Sequence, residues 1–284
     1  MEDLVSQGKC LFCGKMFSKR AISRHLATHL AKKEVSPPNG VSFHIKVEND
    51  KRYGSGPYFL NLLVDGEATL HDIDLFLRHI WLECCGHMSD FTVKGQQKEF
   101  GWSAFYDDDD EELDDEELDD DDLDDDDLDD DDLDDDDLDD EDDDEDDENQ
   151  VPLREILSKG LEIIYKYDFG STTELLITVY GEYSFKADED IVLLSRNEPL
   201  EILCEKCHKK PATQICTACI YTNESAFCDS CAKNHAKTCE DFSEYAALPV
   251  VNSPRMAICA YSGGTIDIER DGPFVMKPKV KKGE

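Results

Sequence analysis

Residues 41–47 read Val-Ser-Phe-His-Ile-Lys-Val, an alternation of apolar and polar side chains. Successive side chains of a β-strand point to opposite faces of a sheet, so this alternation predicts a half-buried strand. A second apolar run, Tyr58 to Val64, ends at the turn signal Asp65-Gly66 and predicts a neighbouring strand. The central part of the chain is therefore expected to begin as a β-sheet.

The residues after these strands predict a helix and then more strands. Thr69 followed by Asp72 is a capping box, and apolar residues at helical spacing continue through about Glu83. Because strands and helices do not alternate strictly, the pattern predicts an α+β domain over residues 41–200, with its helices on one face of a sheet. The remaining predicted elements are a short strand at Phe91–Val93, a helix at Pro152–Lys159 ended by Gly160, and strands at Leu161–Phe169, Glu174–Phe185 and Ile191–Ser195.

The charge of the chain is concentrated in one segment. The 284 residues carry a formal net charge of −39, from 29 basic and 68 acidic side chains. Every residue of 107–148 is Asp or Glu except six leucines, so this acidic tract holds 36 carboxylates and the rest of the chain is nearly neutral. From Leu113 to Leu138 the leucines recur every fifth residue, a spacing that forms no stripe on a helix and alternates faces on a strand. Because like charges also repel one another, a disordered insertion in the central domain is predicted.

Several roles remain open for the acidic tract. It can be a solvated spacer, a binder of a basic protein partner, a weak collector of Ca2+ or Mg2+, or a mimic of nucleic-acid charge. The tract also repels phosphates, so strong DNA binding by the whole chain is not expected.

The N-terminal residues 1–32 contain the ligand order of a Cys2His2 zinc finger, Cys10-x2-Cys13-x11-His25-x3-His29. The cysteines suit a tight knuckle, and a helix places both histidines on one face. This segment resembles the classical finger, although its middle spacer is one residue shorter. One Zn2+ is predicted, either as a structural staple or as part of a weak nucleic-acid contact. The residues expected for that contact are Lys15, Lys19, Arg20 and Arg24, with Ser18, Ala21 and Arg24 at the base-reading positions.

The C-terminal part, residues 201–284, contains eight further ligands in four pairs. They follow the pattern Cys204-x2-Cys207-x8-Cys216-x2-Cys219-x8-Cys228-x2-Cys231-x3-His235-x3-Cys239. The segment has few large apolar residues, so it needs metal for stability, and filled four-ligand sites are structural rather than catalytic. His208 is an alternative ligand, and the spacing of His235 and Cys239 suggests one short closing helix.

The ligand order resembles the cross-braced modules of B-box, MYND or HIT type. That resemblance implies interleaved sites and a protein-binding surface. Cys204, Cys207, Cys228 and Cys231 would hold one zinc, and Cys216, Cys219, His235 and Cys239 would hold the other. Together with the finger, three Zn2+ ions per chain are predicted.

Two segments of the central domain carry a second resemblance. They are Phe76-Leu77-Arg78-His79-Ile80-Trp81-Leu82-Glu83-Cys84-Cys85-Gly86-His87-Met88-Ser89-Asp90-Phe91 and Tyr165-Lys166-Tyr167-Asp168-Phe169-Gly170. They look like the plasmid pRiA ORF-three-like family, some members of which are called insertion-element TnpR passenger proteins. Residues 248–256 and 259–263 resemble the tail of a subset with the same Cys-rich module. The resemblance implies an α+β roll and an association with plasmid or mobile-element DNA, but no established activity. Many members read Asp-x-Trp where this chain has Ser171-Thr172-Thr173.

The remaining features favour a binding protein over an enzyme. The chain has no apolar run of membrane-spanning length and no signal peptide, so a cytoplasmic location with reduced thiols is expected. It lacks the phosphate-binding Gly-rich loop, the Gly-x-Ser-x-Gly elbow and the His-Glu-x-x-His helix. An enzyme with Asp168 in its site is the alternative, although Asp168 is expected to be a turn residue. Cys84, Cys85 and His87 are expected to be core or buried polar residues, and Cys259 is left without a role.

Overall fold

The structure is a computed structural model that describes residues 6–49, 58–95, 99–103, 151–221 and 224–266. The acidic tract 107–148, which the sequence predicts to be disordered, lies outside the described residues. Among the described residues, no helix combines the length and the apolarity that a membrane crossing requires.

The N-terminal module is a β-hairpin followed by a helix. Strand β1 (Gln7–Lys9) pairs antiparallel with β2 (Met16–Ser18), and helix α1 (Lys19–Leu30) follows at once. A 3-10 turn, Ala31–Lys33, ends the module. This hairpin and helix are the local structure that the Cys2His2 spacing predicts.

The central domain is a seven-stranded antiparallel sheet, so the predicted α+β class is confirmed. Its strands are β3 (Ser42–Asn49), β4 (Phe59–Asp65), β5 (Ser89–Val93), β6 (Glu99–Ser103), β7 (Glu162–Tyr167), β8 (Thr173–Tyr183) and β9 (Ile191–Arg196). They lie in the order β6-β5-β7-β8-β3-β4-β9. Strand β6 was not predicted from the sequence, whereas the other six fall where the apolar runs place them.

The helices of the central domain begin at Leu70 and Leu153. Helix α2 (Leu70–Leu77) starts with the predicted capping box, in which Thr69 and Asp72 exchange hydrogen bonds, and a π-helical turn continues it through Leu82. Helix α3 (Leu153–Ile156) is shorter than the predicted Pro152–Lys159. It ends early because Leu157 turns to an extended conformation, which buries its side chain in the core.

Helices α2 and α3 of the central domain lie on one face of the sheet, as expected, and the finger helix α1 covers the other face. Strand β4 shows this arrangement because its side chains alternate between two cores. Leu60, Leu62 and Val64 pack in the core that contains α2. Phe59 and Leu63 pack on the opposite side, with the α1 residues Ile22, Leu26 and Leu30, all of which are fully buried. The apolar side of the finger helix is therefore part of the domain core.

Polar contacts also attach the finger to the sheet. The Ser23 hydroxyl donates to Asn61 Oδ1 at 2.7 Å, and the Lys19 ammonium lies 2.9 Å from Glu48 Oε1. The backbone amide of Leu11 donates to the Leu194 carbonyl at 3.0 Å. The finger thus has a fixed position on the face opposite α2.

The C-terminal module contains three short strands and two short helices. They are β10 (Gln214–Cys216), β11 (Ala226–Phe227), α4 (Asp229–His235), α5 (Glu240–Glu244) and β12 (Ala247–Pro249), with the strands in the order β11-β10-β12. The suggestion that one helix carries both His235 and Cys239 is wrong. Helix α4 ends at His235, and Cys239 is the N-cap residue of α5, because a turn at Ala236–Thr238 separates them.

After this module the chain returns to the central domain. The Ser253 hydroxyl donates to the Trp81 carbonyl at 2.7 Å, and the amide of Ile266 donates to the His79 carbonyl at 3.1 Å. Arg255 and Tyr261 are almost fully buried there. Residues 251–266, called the tail below, therefore pack on the end of the π-helical turn.

We expect Leu26→Ala to lower the free energy of unfolding of the central domain by about 2–5 kcal/mol, because it opens a cavity in the core that α1 shares with the sheet. Arg24→Ala is the matched control, because Arg24 lies on the exposed side of the same helix and its loss should change stability by less than about 0.5 kcal/mol. Denaturant unfolding in zinc-containing buffer measures the free energy of unfolding of both variants. Equal stabilities for the two variants would show that the finger does not belong to this core.

Candidate metal centres

The N-terminal module brings together Cys10, Cys13, His25 and His29. One ligand atom from each lies within 4.8 Å of all the others. The two thiols come from the loop between β1 and β2, where the amide of Gly14 donates to the Cys10 carbonyl at 2.7 Å and Gly14 has a φ of +71°. The histidines lie one turn apart on α1. His25 Nε2 is 3.3 Å from Cys13 Sγ and 3.1 Å from His29 Nε2.

The C-terminal module brings together two further groups in a crossed arrangement. Cys204 and Cys207 converge with Cys228 and Cys231, and Cys216 and Cys219 converge with His235 and Cys239. The interleaving that the cross-braced resemblance implies is thus the arrangement in the structure. Neither group includes His208, the alternative ligand. His208 instead follows Cys207 with a φ of +52°, and its amide donates to the Cys204 carbonyl at 2.8 Å.

The distances within these groups fit tetrahedral zinc. With sulfur ligands at about 2.3 Å and nitrogen ligands at about 2.0 Å, a tetrahedral zinc places neighbouring ligand atoms roughly 3.3–3.8 Å apart. The Sγ atoms of Cys207 and Cys228 are 3.9 Å apart, as are those of Cys216 and Cys239. Cys219 Sγ lies 3.7 Å from His235 Nε2. No cysteine in the described residues is in a disulfide, which agrees with thiols placed for a shared metal.

Neighbouring side chains position the ligands of the C-terminal module. Phe227 stacks on the imidazole of His235 with 4.3 Å between ring centroids, and Phe242 meets the same ring edge-on. The Glu205 carboxylate accepts hydrogen bonds from the amides of Ser225 and Ala226, at 2.6 and 3.1 Å. Glu205 therefore holds the first Cys-x2-Cys loop against β11, close to the third cysteine pair.

The thiols differ in how readily they ionise. A hydrogen bond with the Ser230 hydroxyl lowers the pKa of Cys228 to about 6, whereas burial raises the pKa of Cys216 to about 12. Zinc binds the thiolate, so it must displace a proton from a thiol such as Cys216, and zinc affinity falls as the pH is lowered. All four positions in each group are filled by protein atoms, which is the arrangement of a structural zinc site.

The structure also forms a fourth group, which the sequence did not predict. It contains Cys84, Cys85, His87 and Cys259, again with the ligand atoms within 4.8 Å of one another. The expectation that Cys84, Cys85 and His87 are core or buried polar residues is wrong, because Cys85 is exposed and the other two are half-buried. The sequence signal was weak, since Cys259 stands alone and far along the chain from the other three.

Asp168 is a turn residue, as expected. It has a φ of +64°, and its Oδ1 accepts hydrogen bonds from the amides of Gly170 and Ser171 at 2.9 and 3.2 Å. Its Oδ2 accepts from Arg255 Nη2 at 2.6 Å. Burial disfavours the charged carboxylate, but the bonds from Arg255 and the amides outweigh burial and lower the pKa of Asp168. A carboxylate held in this way is poorly suited to proton transfer.

The residues predicted for nucleic-acid contact are distributed unevenly on the finger. Lys15, Arg20 and Arg24 are exposed, whereas Lys19 is half-buried and its charge is paired with Glu48. The base-reading positions Ser18 and Ala21 are exposed as well. The outer side of α1 is thus accessible, and its opposite side is buried on the sheet.

Comparison with known proteins does not assign the chain to a family. No protein-family model matches it, and no curated protein matches it. A crystal structure that it resembles is that of a protein of unknown function from Methanosarcina mazei Go1, with a TM-score of 0.31 and 13% identity. The match covers 52% of this chain and 64% of the Methanosarcina chain, so this chain spans just under two thirds of the length of that protein. The likeness is too weak to carry an argument, and the plasmid pRiA ORF-three-like resemblance stays a prediction.

We expect a chelator to unfold the C-terminal module before it releases α1. Within 204–221 and 224–249, the described residues of the module, only two small apolar clusters are buried, whereas Leu26 and its neighbours on α1 are buried in the core shared with the sheet. Hydrogen exchange followed by mass spectrometry, with and without chelator, measures this order. The β3–β8 strand pair is the internal control, and it should keep its protection. Full protection of 204–249 without metal would contradict the expectation.

Proposed function

We propose that the chain is a zinc-stabilised, non-catalytic binding protein whose partner is another protein. The proposal depends on one observation, the convergence of the twelve predicted ligands in three groups of four protein donors. A group with four protein ligands leaves no position for a substrate or an activated water. The metal in each group therefore supplies structure, and the function lies in the surface that the metal holds.

The surface of the C-terminal module offers exposed aromatic residues for a protein partner. Tyr221 is 94% exposed and Tyr245 is 69% exposed, and Ile220 beside Tyr221 is also exposed. Ile220 and Tyr221 follow the zinc ligand Cys219 directly, so the predicted zinc fixes the start of their loop. Exposed tyrosines on a fixed support are typical anchors of protein interfaces.

The finger supports nucleic acid as the alternative partner. The exposed side of α1 carries Arg20 and Arg24 and keeps the base-reading positions free, which favours a weak contact with phosphates. Two facts act against strong binding. One finger covers only about three base pairs, and the chain carries a net charge of −39. The association with plasmid or mobile-element DNA that the family resemblance implies would need this contact or a partner that binds DNA.

The test is affinity capture with the full chain loaded with zinc. We expect wild type to retain specific proteins, and Tyr221→Ala with Tyr245→Ala to retain about thirtyfold less, which corresponds to the loss of about 2 kcal/mol at an anchor residue. Tyr180→Ala is the matched control, because Tyr180 is an exposed tyrosine of the central sheet.

Two results of this experiment would contradict the proposal. Equal capture by the double variant and wild type would show that the tyrosines are not the docking surface. Capture that disappears after nuclease treatment or at raised salt, and that Arg24→Ala weakens, would favour the nucleic-acid alternative.

A further inference from the structure

We propose that Cys84, Cys85, His87 and Cys259 form a fourth metal site, which takes a thiophilic divalent cation such as Zn2+ and fastens the tail to the central domain. The inference does not depend on the proposed partner. It depends on four side chains from two distant parts of the chain, whose ligand atoms lie within 4.8 Å of one another.

The distances resemble those of the three predicted groups. Cys85 Sγ and Cys259 Sγ are 3.7 Å apart, and Cys259 Sγ is 3.7 Å from His87 Nε2. The Sγ–Sγ distance is far longer than the roughly 2.05 Å of a disulfide. Three thiols also cannot all pair with one another, whereas three thiolates and one imidazole are a complete ligand set for zinc.

The backbone at this group resembles that of the predicted knuckles. Gly86, directly after Cys85, has a φ of +67°. The same left-handed conformation follows Cys13 and Cys207, the second cysteines of two Cys-x2-Cys pairs. Cys259 itself has a φ of +53°, which is uncommon for a residue other than glycine and occurs often at functional sites. Each half of the group therefore has a left-handed residue at or directly after a thiol whose sulfur belongs to the group.

The charges around the group suit a thiolate site. Arg255 is fully buried, and its Nη2 lies 3.5 Å from Cys84 Sγ and 2.6 Å from Asp168 Oδ2. A divalent cation with three thiolates and a neutral imidazole has a net charge of −1, and the Asp168 carboxylate carries another negative charge. The Arg255 guanidinium contacts both and offsets one of the two. Asp168 Oδ2 in turn lies 3.8 Å from His87 Nε2. The buried arginine thus faces thiolate sulfur on one side and carboxylate on the other.

A metal at this position would join the end of the π-helical turn to the tail. Cys85 and Cys259 are 174 residues apart, and a cross-link that closes so long a loop removes much entropy from the unfolded chain. The bonds of Ser253 to the Trp81 carbonyl and of Ile266 to the His79 carbonyl lie on either side of Cys259 in the tail. The metal would therefore add a cross-link to the tail, which already packs on the central domain.

The experiment counts zinc per full-length chain by elemental analysis after gel filtration under reducing conditions. We expect four per chain for wild type and three for Cys85→Ser with Cys259→Ser, which leaves only two ligands in the group. Ser262→Ala is the matched control, because Ser262 is an exposed tail residue beside the site, and it should retain four. Three zinc ions in both wild type and the double variant would overturn the fourth site alone. A zinc content near zero in wild type and in both variants would overturn the three structural sites of the proposed function as well.

A second measurement uses the wild-type chain alone, so it still tests the site if the double variant does not fold. Cys85 and Cys259 are exposed thiols that an alkylating reagent can reach, and a bound metal would withhold both from the reagent. We expect protection in the zinc-loaded chain and modification of both after chelation, mapped by peptide mass spectrometry. Rapid modification in the zinc-loaded chain would overturn the proposal, as would a Cys85–Cys259 disulfide, seen as the loss of two hydrogens from the unreduced mass.

Discussion

The bond between thiolate sulfur and a divalent metal is the interaction on which the C-terminal module is predicted to depend. Its buried apolar residues form two small clusters, around Phe227 and around Ile215, which are far smaller than a self-sufficient core. Structural zinc contributes roughly 10–16 kcal/mol per site in small modules, so two predicted sites would supply the stability that burial does not. In the crossed arrangement each predicted zinc would join distant parts of the module, since Cys204 shares its group with Cys231 and Cys216 shares its group with Cys239.

The central domain follows the opposite principle, because burial on both faces of a sheet holds it together. A buried ionic network adds directional contacts in its interior. The Asp74 carboxylate accepts hydrogen bonds from Arg78 Nε at 2.6 Å, from the Ser89 hydroxyl at 2.6 Å and from the Tyr165 hydroxyl at 2.7 Å. These bonds join α2 and the π-helical turn to β5 and β7, and they satisfy a charge pair that would otherwise be costly to bury. The finger combines the two principles, with the predicted zinc ligands His25 and His29 on one side of α1 and core residues on the other.

Local signals in the sequence predicted most of the elements and twelve of the sixteen clustered metal-ligand candidates. The capping box at Thr69 and the alternation of β3 depend on neighbouring residues, and paired spacings such as Cys10-x2-Cys13 are short. The packing of the finger against the sheet could not be predicted from such local signals. In the sequence, Ile22 and Leu26 are typical of the small core inside a single finger. Only the tertiary structure shows that they also pack against residues of the central sheet. The fourth group was missed for the same reason, because Cys259 meets Cys85 only after the tail returns to the central domain.

Zinc-edge X-ray absorption of the full chain measures the ligand atoms around the metal directly. The three predicted groups contain nine thiolates and three imidazoles, and the fourth group adds three thiolates and one imidazole. The ratio of sulfur to nitrogen ligands is therefore three to one with or without the fourth group. We expect an average shell of three sulfur atoms at about 2.3 Å and one nitrogen at about 2.0 Å per zinc. A shell dominated by oxygen, or one with fewer than about two sulfur atoms per zinc, would show that these cysteines do not hold the metal and would contradict the account.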